Sequence, residues 1–289
     1  MQKKKPTSRH ISEPLISVMM CTYNAEAHIQ EAIHSVLGQD YGDFEFIIVD
    51  DGSTDSTLGI ISQIKDSRIR IISCKHDYIH SLNTGLKACK GMFIARTDAD
   101  DLMMPNRLAT QLQVMQRNPE IAACFSWGTT FGSVEESIGH CVRGMVDQAF
   151  FWLLTGNYLM HPSAMFRADF IKKNKLRYKR YMFAEDYKLW TDMTRIGGQI
   201  FVIPEPLFKY RISPSQISQV YHAEQNKTRL KIQQEVLEEL LHRLQDPHKT
   251  QLVRYYNMML KLNQASLLQG YEVIIMMYKI LRRTTFFVH

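Results

Sequence analysis

Phe44-Glu45-Phe46-Ile47-Ile48-Val49-Asp50-Asp51-Gly52-Ser53 is the stretch that decides the fold. An apolar run of strand length drives straight into a turn cluster, and Ser53 or Thr54 could then cap a helix through Leu58, Ile61 and Ile64. The same pattern surrounds it. Leu15 to Met20 reads as a buried strand, followed by Ile29, Ala32, Ile33, Val36 and Leu37 at helical spacing. Ile69 to Ser73 makes a third strand, a helix lies around Leu82 to Ala88, and Met92 to Ala95 makes a fourth strand. Strands alternating with helices at this spacing predict an α/β fold with a doubly wound, mainly parallel sheet. Ligands of such sheets gather beyond the carboxyl ends of the strands. Tyr23 and Asn24, Asp50 and Asp51, and Asp98, Asp100 and Asp101 all fall there.

Beyond residue 128 the alternation fades, with Ile200 to Ile203 as a further strand among aromatic-rich helical stretches. From Glu224 the pattern is helical. Leu237, Leu240, Leu241 and Leu244 form one stripe, Val253, Tyr256 and Leu260 another, and Gly270 is a stop. The expected divisions are a basic extension at 1–13, two halves of one domain at 14–128 and 129–223, and a helical appendage at 224–289.

A chain of 289 residues can bury a substantial core. Five cysteines, odd in number and without a CxxC pair or zinc spacing, suit a reducing cytoplasm. No apolar run approaches the roughly 20 residues that span a bilayer, and no export signal is evident. The formal charge of +6 gathers at Lys3 to Lys5, at Lys172 to Arg180, and at Lys279, Arg282 and Arg283. None of these clusters carries a nucleic-acid motif, so no nucleic-acid partner is expected. No G-x-G-x-x-G or P-loop follows any strand, which argues against dinucleotide oxidoreductases and P-loop enzymes. A phosphatase would want its Asp-x-Asp on the first strand, and here the triplet follows the fourth.

Asp98-Ala99-Asp100 offers hard oxygen ligands for Mg²⁺ or Mn²⁺, although an acidic triplet is also an ordinary turn or cap. Asp50-Asp51 could cap a helix or accept the N3 hydrogen of uracil, with a side chain after the first strand closing over the base. Glu185-Asp186, flanked by Phe183, Tyr187 and Trp190, could hold a partly desolvated general base or complement a helix dipole. His161 before Pro162 suits a polar group on the acceptor or diphosphate side, or a structural histidine. Phe150, Phe151, Trp152 and Tyr158 offer either a sugar platform or core.

Taken together, Ile16 to Asn24, Phe46-Ile47-Ile48-Val49-Asp50-Asp51-Gly52-Ser53-Thr54-Asp55 and Ala95-Arg96-Thr97-Asp98-Ala99-Asp100-Asp101 resemble the inverting family 2 glycosyltransferases. His161 to Arg167 and Ala184-Glu185-Asp186-Tyr187 are similar to the bacterial branch that builds lipooligosaccharide, O-antigen and capsule chains. The resemblance spans about residues 14 to 215. It implies a GT-A fold and a single displacement from a nucleotide-sugar, UDP-linked, to a hydroxyl of a glycan or glycolipid. It also implies that Thr22, Tyr23, Asn24, Asp50, Asp51, Asp98 and Ala99 hold the nucleotide, and that Asp100 with Asp98 binds Mn²⁺ or Mg²⁺. Asp186 would be the base, with Glu185 beside it, and His161, Arg96 and Trp190 would lie on the acceptor or diphosphate side. Two departures stand out. Cys74 to Asn83 lacks the family's glycine, and Ser213 stands where many relatives carry histidine after Tyr210-Arg211, with His222 a conceivable substitute. Val273 to Met277, next to Lys279, Arg282 and Arg283, would suit an anionic membrane surface on the inner face of the cytoplasmic membrane. The rival outside enzymes is a catalytically silent relative that binds a partner or a glycan.

Overall fold

The computed structural model describes residues 15–264, apart from 134, 139–141, 214–219 and 245–247. The basic residues 3–5, Cys141 and the segment 270–289 expected at a membrane lie outside the described residues. Within them, no helix is long and apolar enough to cross a membrane.

Four parallel strands form the half of the sheet that the sequence pattern foretold. They are β1 (Ile16–Thr22), β2 (Phe44–Asp50), β3 (Ile69–Ser73) and β4 (Phe93–Asp98), side by side in the order β3-β2-β1-β4. Every residue of β1 is buried because both faces of the sheet are covered, which is why it reads as a continuous apolar run. Met19 and Cys21 face α3 (Tyr78–Ala88), and Val18 and Met20 face α1 (Ile29–Leu37) and α2 (Thr57–Gln63).

Past β4 the sheet becomes mixed. β5 (Leu102–Met103), α4 (Arg107–Arg117) and β6 (Ile121–Gly132) follow, and the three-residue β9 (Met165–Arg167) then inserts antiparallel between β4 and β6. β10 (Gln199–Ile212), longer than the expected Ile200 to Ile203, runs parallel to β6 and pairs antiparallel with β5. The short strands β7 (Ser137–Ile138) and β8 (Gly144–Met145) hang on β6 and β10. The architecture is therefore the expected α/β sheet with C-terminal helices, with an antiparallel insertion at its centre. The expected division at 128/129 falls inside β6.

Between β9 and β10 lie α6 (Ala168–Lys173) and α7 (Glu185–Arg195), and α5 (Ala149–Trp152) precedes them. Phe150, Phe151 and Trp152 are buried, so these rings are core rather than an open platform. The terminal helices are α8 (His222–Arg243) and α9 (His248–Gln264). α8 buries Ile232, Val236 and Leu240 and so turns a face slightly different from the leucine stripe read in sequence, while Val253 on α9 is exposed and Leu252 and Tyr256 are buried. Glu235 of α8 accepts from Lys188 Nζ (2.8 Å) and Tyr181 Oη (2.7 Å), fastening α8 across α7.

Three element boundaries differ from the sequence reading. α2 begins at Thr57, where Asp55 accepts the Thr57 N–H at 3.0 Å, and Ser53 and Thr54 bond to Asn24 instead. α3 begins at Tyr78, one turn early, because Asp77 accepts from the His80 N–H at 3.1 Å. β4 continues through Asp98, so this acid is the last residue of the strand rather than part of the loop after it.

Candidate active site

The register aligns Thr22 with Asp50 and Cys21 with Asp98, which brings the polar strand ends to one edge. Beyond β1, Asn24 takes a left-handed backbone (φ 48°), and its Oδ1 accepts from the Thr54 N–H at 2.8 Å while its own N–H donates to Ser53 Oγ at 3.0 Å. That pair of bonds locks the first turn to the second. Tyr23 stands exposed on this turn and stacks on the His76 ring, with centroids 4.1 Å apart. Asp50 and Asp51 are buried. Asp51 Oδ1 accepts from the Asp77 N–H (2.8 Å) and Ser81 Oγ (2.6 Å), which ties it to α3.

At the end of β4, the carboxylate of Asp98 is held by the guanidinium of Arg96, two residues earlier on the same strand face. Arg96 is almost wholly buried, and its second amino group reaches Tyr78 Oη at 3.4 Å. The guanidinium expected on the acceptor or diphosphate side is thus committed first to Asp98. Ala99 is buried, and Asp100 is only half-buried. Burial and the neighbouring charge of Asp98 raise the Asp100 carboxyl above its ordinary value, and the same causes act more strongly on Asp101. Arg211 braces this loop from β10: its N–H donates to Asp101 Oδ1 (2.9 Å) and its Nε to the Asp100 carbonyl (2.9 Å). Ser213 follows two residues on, and His222 sits exposed at the start of α8 with Asn226 as its neighbour.

Glu185 and Asp186 open α7, where the helix dipole favours acids. Asp186 Oδ2 accepts from Asn157 Nδ2 at 2.8 Å. Burial raises the Asp186 carboxyl, and burial with the Asp186 charge pushes Glu185 up to about 7. Two adjacent carboxyls that both resist ionisation titrate as a pair. Arg96 contributes an opposing positive field at each of them. Burial, and after it the same guanidinium, holds His161 well below the usual imidazole range, so that this ring is neutral. His161 Nε2 lies 2.8 Å from Tyr178 Oη, and Trp190 meets the imidazole edge-on at 5.8 Å between centroids. Trp190 itself is fully buried, packed between Phe125, Phe166 and His161, so it supports His161 rather than facing open space.

Several contributors escaped the sequence reading. Asn157 is one polar residue after a core stretch, and only the fold brings it to Asp186. Asn83 pairs with both backbone groups of Tyr178 (2.9 and 3.0 Å), joining α3 to the segment before α7. Arg107, fully buried, donates to the carbonyl of Arg96 at 2.8 Å, and Gln111 to that of Ser163 at 2.7 Å. These two side chains of α4 hold the Arg96 strand beside the His161 turn. The Arg96–Asp98 pair was not legible, because the apolar run that marks the strand in sequence ends at Ala95 while the strand itself continues to Asp98.

Among the described residues no three His, Cys, Asp or Glu side chains form a metal-ligating group. The donor set suits the other arrangement, in which Mg²⁺ or Mn²⁺ binds one or two carboxylates and completes its shell with water and substrate phosphates. Asp100, with Asp98 next to it, supplies hard oxygen for that arrangement, and Asp101 Oδ2 is a buried oxygen without a hydrogen-bond partner. An open groove of about 520 Å³ between α8 and α9, lined by Leu241, His242, Thr250 and Val253, shares none of these residues.

The family model described as "Glycosyl transferase family 2" matches residues 17–175. An "Uncharacterized glycosyltransferase" of Haemophilus influenzae is 36% identical over 243 residues, 77% of this chain and 73% of that protein. A shorter match, 38% over 106 residues (36% of this chain, 42% of the other), is to the Escherichia coli "UDP-Glc:alpha-D-GlcNAc-diphosphoundecaprenol beta-1,3-glucosyltransferase WfgD". Among solved structures, S. aureus TarS 1-349 in complex with UDP-GlcNAc superposes with a TM-score of 0.68 at 18% identity, covering 84% of this chain and 72% of that one. The mannosyltransferase PcManGT of Pyrobaculum calidifontis, in complex with GDP-Man and Mn²⁺, gives 0.58 at 17% identity, with 95% and 82% covered. At these identities the two structures speak for the fold.

Proposed function

Because the chain belongs to glycosyl transferase family 2 and is a glycosyltransferase, we propose that it moves a sugar from a UDP-sugar to a hydroxyl of a glycan or glycolipid, with inversion at the anomeric carbon. The observation that carries this reading is the convergence on one sheet edge of three parts: the Tyr23–Asp51 corner, the Asp98 to Asp101 loop, and the Glu185–Asp186 pair. A flat aromatic ring beside a buried carboxylate suits a nucleobase with a ring N–H. The UDP-GlcNAc bound to TarS and the UDP-Glc donor of WfgD support a uridine nucleotide, and the GDP-Man of the mannosyltransferase marks the alternative.

In this reading Tyr23 and Asp51 hold the base, with Thr22, Asn24, Asp50 and Ala99 shaping the turns around the nucleoside. Asp98, steadied by Arg96, faces the ribose side, and Asp100 with Asp98 would hold Mn²⁺ or Mg²⁺ against the diphosphate. A bound cation there would offset the charge that builds on the leaving group. On the opposite side Asp186 takes the proton of the acceptor hydroxyl as its oxygen bonds to the anomeric carbon and the bond to the diphosphate oxygen breaks. Asn157 aims the carboxylate and Glu185 adjusts its basicity. Neutral His161, hydrogen-bonded to Tyr178, supplies a polar group without a competing charge.

We place the reaction in the cytoplasm, where the described cysteines, all free, would stay reduced. The acceptor class follows the lipid-linked acceptor in the WfgD name and so points to surface-polysaccharide or lipooligosaccharide synthesis. The test is a donor panel assayed for nucleoside diphosphate release, with glycolipid acceptors and with and without Mn²⁺. Release from UDP-sugars that depends on acceptor is expected. Release confined to GDP- or dTDP-sugars would overturn the donor assignment.

A further inference from the structure

One side chain already makes, at the nucleobase corner, the contacts that a base would make there. Building on the UDP-sugar reading, we propose that His76 is a built-in occupant of the base subsite, which the donor's base must displace, so that it holds donor affinity down while Asp51 selects the base.

The His76 ring lies on Tyr23 with centroids 4.1 Å apart and planes 25° from parallel. Touching faces sit about 3.5–4 Å apart, so admitting another ring between these two would require roughly twice that spacing. A base that uses this face of Tyr23 must therefore evict the imidazole. His76 Nδ1 lies 3.1 Å from the backbone carbonyl oxygen of Asp51 and 2.9 Å from Asp51 Oδ2. Two acceptors facing the same nitrogen place the proton on it. His76 thus offers Asp51 a flat ring and an in-plane N–H, as uracil does with N3–H.

The free capacity of Asp51 then sets the selection. Oδ1 is filled by the Asp77 N–H and Ser81 Oγ, whereas Oδ2, buried, has no hydrogen bond besides this contact with the imidazole. Of the two oxygens, it is the one left for a base N–H. Uracil replaces the imidazole with stack and hydrogen bond both conserved. Cytosine turns a ring lone pair toward the carboxylate and leaves Oδ2 buried and unsatisfied. Guanine brings a ring N–H and an amino group side by side, and the second oxygen that would receive the pair is already occupied.

Two further features show that the occupant is part of the turn and yet free to leave. Gly52 has φ +79°, and a Cβ there would lie 3.0 Å from the His76 backbone nitrogen, so only glycine lets the His76 segment dock against the Asp50-Asp51 turn. The His76 side chain is 59% exposed, so it can swing into water without opening the core.

The experiment is calorimetric titration of the full chain, of His76→Ala and of His76→Phe with UDP, CDP and GDP at constant Mn²⁺. His76→Ala should bind UDP roughly two- to tenfold more tightly than the parent, the scale of one aromatic stack no longer competing. His76→Phe, which keeps a ring but loses the N–H, should fall between the two, and the parent should prefer UDP to CDP and GDP. If the parent binds UDP and His76→Ala binds it equally or more weakly, His76 is a bystander or a direct ligand contact and the inference is overturned alone. If neither protein binds UDP while another nucleotide binds, the UDP-sugar reading falls, and this inference with it.

Discussion

Replacing Glu185 by glutamine should make the protein more stable at pH 8 and leave its stability unchanged near pH 4.5. Burial, helped by the charge of Asp186, pushes the Glu185 carboxyl from an ordinary 4.5 up to about 7. An acid whose value is raised in the folded state holds its proton more tightly there than in the unfolded chain. Stability therefore falls as pH rises from about 4.5 to about 7, and the loss is complete above that window. A gap of this size corresponds to about 3 kcal/mol. Glutamine is neutral at every pH and fills the same space, so the penalty disappears with the charge. For a chain of 289 residues that amounts to several degrees in Tm, since about 1 kcal/mol shifts a protein of this size by roughly 2 °C. Scanning calorimetry of both proteins from pH 4.5 to 8 is the assay, with the difference in Tm growing as pH rises. A difference that is constant across pH, or a less stable variant at pH 8, would refute the claim that Glu185 is held against its preferred ionisation. A carboxylate kept at such a cost is a feature of active sites rather than of structural helix starts.

Asp51→Asn keeps an oxygen for the Asp77 N–H and Ser81 but turns an amide toward the base. UDP affinity measured by calorimetry should fall at least about tenfold, from one lost charged hydrogen bond, with little change in Tm. Asn157→Leu removes the donor to Asp186 Oδ2, a charge-assisted bond worth about 1.5–3 kcal/mol, so the acidic limb of the kcat profile should move to higher pH by about one to two units. An unmoved limb would separate Asn157 from the base. Asp100→Asn should abolish saturable Mn²⁺ binding in the presence of UDP, as read by electron paramagnetic resonance, while the fold persists. Retained binding would move the cation elsewhere.

Strands β1 and β2 were legible because a parallel strand covered on both faces leaves a nearly uninterrupted apolar run, and because Asp50-Asp51-Gly52-Ser53 stops such a run unmistakably. Their shared edge followed from topology alone. β9 was not legible: three residues carry no periodicity, and only pairing with β4 and β6 defines them as a strand. The start of α3 was missed because Asp77, directly after His76, caps it inside a stretch read as loop. Trp190 was expected near the acceptor on account of its place beside Asp186. One helical turn further along α7, however, it points into the core beneath His161. His76 and Asn157 carried no motif of their own, Asn83 and Arg211 stood in family segments without an assigned role, and the roles of all four come from partners 25 to 110 residues away. Side chains of this kind, bonded to distant backbone or to a single buried carboxylate, become visible only once the sheet is assembled.

The most direct test of the central claim, that the carboxylate opening α7 accepts the acceptor's proton, is Asp186→Asn assayed for sugar transfer and for UDP-sugar affinity in parallel. The substitution is nearly isosteric and leaves Asn157 a partner, so the surroundings of the site persist. The account predicts a kcat lower by roughly 10²–10⁴-fold with donor affinity within about threefold of the parent, because the base acts mainly in the transition state. Transfer at the parent rate, or activity lost only in step with donor binding, would contradict it.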